Sequence, residues 1–496
     1  MQYRNPVILA DYSDPDVIRV GEDFYMVASS FNHVPGVPVL HSKNLVEWEL
    51  VNHVLPALPF ARFSRVCHGD GAWAPSLRWH DGTFFCLIPF PDEGIFVSET
   101  DDPRGTWSPL RPLLVGKGYE DPCPLWADGK CYVVFAFVKS RIGFNSRLAV
   151  FETDTKLSTP ADGYRFVYDG HGCNPTIEGP KFYRRGDYFY ILAPAGGVSN
   201  GWQVALRAKD VYGPYESRTI LVQGKTAVNG PHQGALVDLD DAGTRWAFLH
   251  FQERGAFGRV VHVQPAAWTD DGWVRCGAAQ DGDMAGQPVA GGDYPVAVKT
   301  DYAIDPNDDF AGGRLSPVWQ TPANPGTDWY RLENGLRLAC VPFAQSALSD
   351  LPQLFMQKIC LPNFTAECRC TPHLVSDSDE TGMVVFGEEY AYICAVRENG
   401  RTHIELRRGT IGTDRDETIC RALPGAGDSV TFRITATSKS DRNLAITFAC
   451  DDSTFDYPFS ATPGRWTGAK IGIYARAREP SAGFATFAFF HVTRTD

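Results

Sequence analysis

Three carboxylic acids occupy similar turns along this sequence. Asp14 and Asp121 each precede a proline, and Glu178 opens a Glu-Gly-Pro turn. Asp-Pro is a common turn-initiating pair, so Asp14 alone would be interpreted as an ordinary turn residue. Two carboxyls facing a neutral sugar can hydrolyse a glycosidic bond, because one donates a proton while the other activates water or attacks the sugar. A third can raise the pKa of the acid by like-charge repulsion.

The segments around these carboxyls belong to a unit that recurs five times. Each unit has a turn with Pro or Gly, a short apolar strand, a Gly-containing tight turn and a strand rich in aromatic and β-branched residues. Most units continue with two further strands, and helical periodicity is scarce. A four-stranded unit recurring roughly every 50 residues predicts a five-bladed β-propeller over residues 1–300. The units begin at Asp14, Trp73, Asp121, Glu178 and His232.

The starts of equivalent blades converge on one end of the propeller channel. Three carboxyls, the indole of Trp73 and the imidazole of His232 are therefore expected in one pocket. Sugars stack their apolar faces on aromatic rings, which gives Trp73 and Phe31 a substrate-binding role; core packing is the alternative for both. The chemistry expected of this pocket is hydrolysis of a glycoside.

Composition limits the partners of the protein. Its 496 residues are more than one hydrophobic core usually supports, so we expect two or more domains. The content of 12% aromatic residues is typical of a folded chain. The net charge of −13 argues against nucleic acid or an anionic membrane as partner. The amino terminus lacks a signal-peptide pattern, and the 13 scattered cysteines suggest neither disulfides nor zinc. We expect a cytoplasmic protein, although removal of a leader would leave the same pattern; self-association into a homo-oligomer stays open.

Several of these motifs together resemble one known family. The sequence is similar to glycoside hydrolase family 43, the five-bladed β-xylosidases and α-L-arabinofuranosidases, from residue 1 to about residue 300. The segments that carry the resemblance are "NPVILADYSDPDVIRVGEDFYMVASS", "GAWAPSLRWHDGTFF", "YEDPCPLWADGKCYVVF", "IEGPKFYRRGDYFYIL" and "GRVVHVQPAAW".

The resemblance implies a division of labour among the carboxyls and an inverting mechanism. It makes Asp14 the general base and Glu178 the general acid, while Asp121 modulates the pKa of the acid and positions it. It also implies an arginine near the fifth blade that contacts sugar hydroxyls. Arg259 matches that motif, and Arg254 is a weaker candidate.

Two points of this correspondence have alternatives. The sequence reads Ser-Asp-Pro where many family members read Pro-Asp-Pro, but the Asp-Pro pair is intact. Asp16 competes with Asp14; it lies two residues along an extended strand, on the same face but roughly 7 Å deeper. In relatives, a histidine at the position of His232 can help to hold Ca²⁺ in the channel. Calcium prefers oxygen ligands, so a plain hydrogen-bonded histidine is the alternative, and no cofactor is required for the chemistry.

The carboxy-terminal part of the sequence has a different pattern. Residues 277–307 are rich in Gly, Pro and Asp and predict a linker. Alternating strands without helices then predict an antiparallel β-sandwich over residues 308–496. This region resembles the concanavalin-A-like domain of many family 43 β-xylosidases. Three roles are open for this domain: it stabilises the propeller, it closes the sugar pocket with a loop, or it binds carbohydrate by itself.

These observations together predict an exo-acting inverting β-xylosidase that releases terminal xylose from β-1,4-xylo-oligosaccharides. An α-L-arabinofuranosidase is the alternative within the same class, because pocket shape decides between the two pentoses. A non-catalytic carbohydrate-binding propeller is the rival from another class, but it would be expected to lose a carboxyl. The retaining fructan-cleaving propellers use an Asn-Asp-Pro turn, and the asparagine is missing here.

Overall fold

Five four-stranded antiparallel sheets form the amino-terminal part of the protein, and the prediction of a five-bladed propeller is confirmed. The computed structural model describes residues 1–279, 284–343, 345, 347–422 and 428–496. The first three blades contain the strands Asp16–Val20, Asp23–Val27, Gly36–Ser42 and Glu49–Leu55; Ser76–His80, Thr83–Phe90, Gly94–Thr100 and Arg111–Val115; and Tyr119–Ala127, Lys130–Phe137, Arg147–Thr153 and Arg165–Asp169. The last two contain Lys181–Arg185, Tyr188–Ala195, Trp202–Ala208 and Glu216–Leu221; and Gly234–Asp238, Trp246–Glu253, Arg259–Trp268 and Val274–Cys276.

Burial along the strands explains their composition. The middle strands, such as Thr83–Phe90 and Tyr188–Ala195, are buried at almost every residue because neighbouring blades pack on both of their faces. They therefore read as continuous apolar runs rather than as alternating patterns. The fourth strand of the third blade, Arg165–Asp169, is mostly exposed or half-buried. Burial in this blade thus falls from the middle strand Lys130–Phe137 to the outer edge.

The amino-terminal segment closes the ring of blades. The Val7 amide donates to the Val261 carbonyl of the fifth blade at 2.9 Å, and Ile8 continues the pairing. A short two-stranded sheet joins Gln2–Arg4 to Gly291–Asp293, inside the segment predicted as a linker. Residues 280–283 of that segment lie outside the described residues. The first blade therefore follows directly from a segment that is held by the last one.

Two packed sheets form the carboxy-terminal sandwich, as predicted. One sheet has the order Tyr330–Leu332, Leu336–Ala339, Phe484–Arg494, Asn363–His373, Val430–Ser438, Leu444–Cys450 and Ser453–Ala461. The other has the order Val341–Pro342, Lys470–Ala477, Glu380–Phe386, Glu389–Glu398, Arg401–Thr410 and Glu417–Ala422, and Leu354–Lys358 also pairs with Lys470–Ala477. Among these described strands, all pairings are antiparallel except that of the two-residue strand Val341–Pro342.

Helices are few and short in the described residues. They are one α-helical turn, Lys139–Ile142, and the 3-10 turns Ala61–Ser64, Gly255–Phe257 and Leu348–Asp350. Within these same ranges, no helix has the length and apolar character needed to cross a membrane.

The sandwich contacts the propeller through main-chain hydrogen bonds. Val34 and Thr321 exchange two amide–carbonyl bonds of 2.8 and 2.7 Å. On the fifth blade, the Ala256 amide donates to the Arg442 carbonyl at 2.9 Å, and the Ala469 amide donates to the Ala256 carbonyl at 2.8 Å. The 3-10 turn before Arg259 is thus held on both sides by the sandwich.

Candidate active site

The three predicted carboxyls line one cavity of about 110 Å³, at the amino-terminal ends of the first strands of the blades. This cavity, called the acidic pocket below, contains residues from the propeller and one from the sandwich. Its lining residues are Asp14, Phe31, Trp73, Ala74, Glu120, Asp121, Glu178, Gln233, Arg259 and Trp466. A larger cavity of about 410 Å³ lies at the other end of the same strands, but among the described residues Asp238 is its one carboxylate. The larger cavity therefore lacks the pair of carboxyls that glycoside hydrolysis needs.

Asp14 is held by hydroxyl groups and an arginine. Its Oδ2 accepts hydrogen bonds from the Ser13 and Ser29 hydroxyls at 2.7 and 2.6 Å. The Arg259 Nη1 lies 3.2 Å from Asp14 Oδ1 and also donates to Ser13 Oγ at 2.8 Å. The Asp14 side chain is only 8% exposed, yet it faces the pocket. These donors hold the Asp14 carboxylate in place beside the pocket.

Asp121 is tied to the turn that carries Glu178. The Gly179 amide donates to Asp121 Oδ2 at 2.7 Å, so a propeller blade and its neighbour are connected at the site. Burial first, and then the charge of Asp14, raise the pKa of Asp121 well above its ordinary range, and the Gly179 hydrogen bond opposes this shift. Asp121 can therefore act on Glu178 both through the backbone and through its charge.

Glu178 is the most accessible of the three carboxyls, with 31% of its side chain exposed. Burial, followed by the charge of Asp121, raises the pKa of Glu178 from 4.5 to about 8, so the group keeps its proton at neutral pH. Its Oε1 lies 3.4 Å from Nε2 of His232. Burial lowers the pKa of His232 to about 3, so this imidazole is neutral and does not favour the ionised form of Glu178.

Aromatic rings form the walls of the acidic pocket. The rings of Phe31 and Trp73 are 6.1 Å apart between centroids at 66°, and the Trp73 indole donates to the Gly69 carbonyl at 3.0 Å. Trp466, from the sandwich, lies 6.4 Å from Trp73 and 5.9 Å from the Arg259 guanidinium. The propeller therefore supplies two aromatic walls and the sandwich supplies a third.

Four lining residues have a left-handed backbone, which is uncommon outside glycine and clusters at functional sites. They are Asp14, Phe31, Asp121 and Trp466, with φ of 56°, 52°, 55° and 65°. At these positions the chain departs from regular strand geometry, and the side chains are redirected into the pocket.

Three of the candidate residues lie outside the lining of the acidic pocket. Asp16 is fully buried below it, where Oδ2 accepts from the Arg78 guanidinium at 2.8 Å. Arg254 reaches away from it and donates to the Asp441 carbonyl of the sandwich at 2.9 Å. His232 lies behind Glu178 and is 1% exposed.

Ca²⁺ beside His232 stays a prediction. Within the described ranges, no group of three or more His, Cys, Asp or Glu side chains is arranged to hold a metal ion. The neighbouring polar side chains of the channel include His250 and His262, whose imidazole rings stack at 5.3 Å. Calcium takes six to eight oxygen ligands, and Oε1 of Glu178 lies 3.4 Å from Nε2 of His232.

Besides Ala74, three lining residues are absent from the sequence-based prediction. Glu120 directly precedes Asp121, and Gln233 directly follows His232, so both adjoin a predicted position. Trp466 lies in a loop of the other domain, in "PGRWTGAK". A tryptophan between two glycines in a polar loop is the one signal that could have drawn attention to it.

The comparison with known proteins decides the family. The model described as "Glycosyl hydrolases family 43" matches residues 3–274, which is more than half of the chain. The protein belongs to glycoside hydrolase family 43. The model described as "Beta xylosidase C-terminal Concanavalin A-like domain" matches residues 307–493 of this family 43 enzyme, in agreement with the sandwich. The resemblance seen in the sequence motifs is thereby confirmed.

Several relatives align with nearly the whole family 43 chain. A putative beta-xylosidase of Xylanibacter ruminicola is 33% identical over 481 residues, covering 95% of this chain and 85% of that protein. A non-reducing end alpha-L-arabinofuranosidase of Bacteroides ovatus is 30% identical over 523 residues, covering 98% of this chain and 94% of that protein. The solved structure of Bacteroides ovatus xyloglucan PUL GH43B superposes with a TM-score of 0.82 at 25% identity and covers 100% of both chains. The xylan beta-1,4-xylosidase structure from Bacillus halodurans shares the fold, with a TM-score of 0.83 at 22% identity over 99% of this chain and 100% of that one.

Proposed function

We propose that this enzyme is an inverting exo-glycosidase that releases terminal xylose from β-1,4-xylo-oligosaccharides, with α-L-arabinofuranosidase activity as the alternative. The observation that carries the proposal is the meeting of Asp14, Asp121 and Glu178, from three different blades, in one aromatic-walled cavity. The beta-xylosidase and arabinofuranosidase names of its relatives support the same substrate class.

The proposed mechanism assigns one task to each carboxyl. Glu178 donates its proton to the oxygen of the leaving sugar, which the raised pKa of this carboxyl supports. Asp14 accepts a proton from a water molecule, and this water attacks the anomeric carbon as the glycosidic bond breaks. Asp121 keeps Glu178 protonated through its charge and orients it through the Gly179 amide. The oxygen of the leaving sugar thus gains the proton of Glu178, and the attacking water loses one proton to Asp14. The released sugar has inverted configuration.

The dimensions of the acidic pocket support exo action. A cavity of about 110 Å³ suits one terminal sugar ring rather than the interior of a polysaccharide chain. Trp466 closes one side of it next to Trp73, so the sandwich completes the wall that surrounds this ring in the proposed complex. Loss of the sandwich would open the pocket on that side.

The decisive experiment compares hydrolysis of an aryl β-xyloside with that of an aryl α-L-arabinofuranoside. A higher kcat/KM on the xyloside is expected, and the opposite preference would favour the arabinofuranosidase alternative. Asp14→Asn should abolish most activity on both, because water then lacks a base. An enzyme inactive on both glycosides would reject the proposal and favour a non-catalytic carbohydrate-binding protein.

The stereochemical outcome is a second test. Inversion requires carboxyls about 6.5–9.5 Å apart, with water between the base and the sugar. Proton NMR of an early xylobiose digest should show α-xylose first. Initial β-xylose would show a covalent, retaining mechanism instead.

A further inference from the structure

Glu120 is a fourth carboxyl in the acidic pocket, and the mechanism described above does not use it. It lies on the strand Tyr119–Ala127, directly before Asp121. In a regular strand, consecutive side chains point to opposite faces, so Glu120 would be directed away from the pocket. Both carboxyls nevertheless line the same cavity.

A β-bulge explains this arrangement. The register with the strand Lys130–Phe137 shifts between Glu120 and Cys123, and Asp121 has a left-handed φ of 55°. At a bulge, two residues of one strand oppose a single residue of its partner, which redirects side chains locally. The bulge therefore places two carboxyls in the pocket where regular alternation would place one.

The Glu120 carboxyl has no protein partner among the described residues, although Glu120 is only 7% exposed. No hydrogen bond or ion pair to this side chain is formed there, and Arg259, the cation of the lining, is engaged with Asp14 and Ser13. A buried polar group without a partner is costly unless something supplies the missing hydrogen bond. The open side of this carboxyl is the cavity in which a substrate would lie.

The chemistry of Glu120 matches a sugar hydroxyl. Burial first, and then the charges of Asp121, Glu178 and Asp14, raise its pKa well above the ordinary range. A carboxyl that keeps its proton both donates and accepts a hydrogen bond, and a hydroxyl group does the same. An ionised carboxylate could accept only.

We propose that Glu120 is a substrate-binding residue whose carboxyl hydrogen-bonds one hydroxyl group of the sugar ring in the acidic pocket. This inference rests on the proposed function, because it concerns the ring whose glycosidic bond Glu178 and Asp14 would cleave. Glu120 contributes to recognition of the ring and leaves proton transfer to the other carboxyls.

The test is a cycle of substitutions in the enzyme and deletions in the substrate. Glu120→Ala and Glu120→Gln are compared with the wild type on an aryl β-xyloside and on its 2-, 3- and 4-deoxy analogues. Glu120→Ala should lower kcat/KM on the parent about 10- to 100-fold, and Glu120→Gln should recover most of it, because an amide also donates and accepts. For one deoxy analogue, Glu120→Ala should cost little further activity, since the partner hydroxyl is already missing.

Two results would overturn the inference. Glu120→Ala could leave the parent glycoside unaffected, or it could lower activity by the same factor on the parent and on every deoxy analogue. The second result would indicate a structural role, and the melting temperatures of both variants would show the loss of stability behind it. The alkaline limb of the pH–rate profile should stay in place in Glu120→Gln, because the charges that shift the pKa of Glu178 are those of Asp121, Arg259 and Asp14.

Failure of the proposed function is distinguished by a binding measurement. Trp73 and Trp466 line the pocket, so their fluorescence should report binding of D-xylose, L-arabinose and other free sugars. If neither aryl glycoside is cleaved, the proposed function fails, whereas weaker sugar binding by Glu120→Ala would still support this inference. The inference would be overturned if the wild type bound none of the sugars. It would also be overturned if Glu120→Ala bound them as well as the wild type does.

Discussion

Replacement of Asp121 by asparagine isolates the electrostatic role proposed for this residue. Asp121 Oδ2 accepts the Gly179 amide at 2.7 Å, and the asparagine oxygen can accept the same hydrogen bond. The turn that holds Glu178 should therefore keep its geometry, while one negative charge beside the acid disappears. The substitution tests whether this charge helps to keep Glu178 protonated.

The structure bounds the size of the effect. Burial is the first cause of the raised Glu178 pKa and Asp121 is the second, so Asp121→Asn should lower that pKa from about 8 without returning it to 4.5. A neighbouring charge typically shifts a pKa by about one to three pH units. We expect a decrease of about one unit, equivalent to about 1.4 kcal/mol. In the proposed mechanism, activity requires protonated Glu178 and is lost as pH rises through its pKa, so the alkaline limb should move to lower pH.

The assay is the pH dependence of kcat/KM on xylobiose, which reports the pKa values of the free enzyme. Asp128→Asn is the matched control, because Asp128 lies at the far end of the same blade and pairs with exposed Arg184 at 2.9 Å. The control should leave both limbs in place. An alkaline limb that stays fixed or moves up in Asp121→Asn would refute the assigned role of this charge.

Three further substitutions test other parts of the site. Glu178→Gln should lower kcat/KM about 10²- to 10⁴-fold on xylobiose. The loss should be much smaller on an aryl xyloside, because its leaving group hardly needs a proton, and equal losses on both substrates would reject Glu178 as the acid. Trp466→Ala should lower kcat/KM on xylobiose by up to about tenfold with little change in melting temperature, because the residue is 45% exposed; unchanged kinetics would exclude a role in the pocket wall. Gly258→Ala places a Cβ 2.4 Å from Asp11 Oδ1 and 2.6 Å from the Gly468 amide nitrogen, at a φ of +73°. Calorimetry should therefore show a lower melting temperature, and a wild-type value would contradict the close packing of the two domains.

The sequence alone was sufficient for the features that depend on neighbouring residues. Strand–turn–strand units are local patterns, because side-chain alternation, apolar runs and Gly or Pro turns act over a few residues. Their recurrence predicted five blades, and the starts of the first strands pointed to Asp14, Asp121 and Glu178 as residues of one pocket. The family resemblance favoured Arg259 over Arg254 as the arginine that contacts sugar hydroxyls, although both lie in the same short segment.

Only the tertiary structure decided how the pocket is completed. Trp466 enters it from a sandwich loop, and no local pattern relates this loop to Asp14, more than 400 residues earlier in the chain. Glu120 faces the pocket because of a bulge and a left-handed φ at Asp121, whereas strand alternation predicts the opposite direction. The burial that raises the pKa of Glu178 likewise arises only when the blades meet. Contacts between distant segments and departures from regular backbone geometry depend on packing of the whole chain, so neither is encoded in the spacing of residue types.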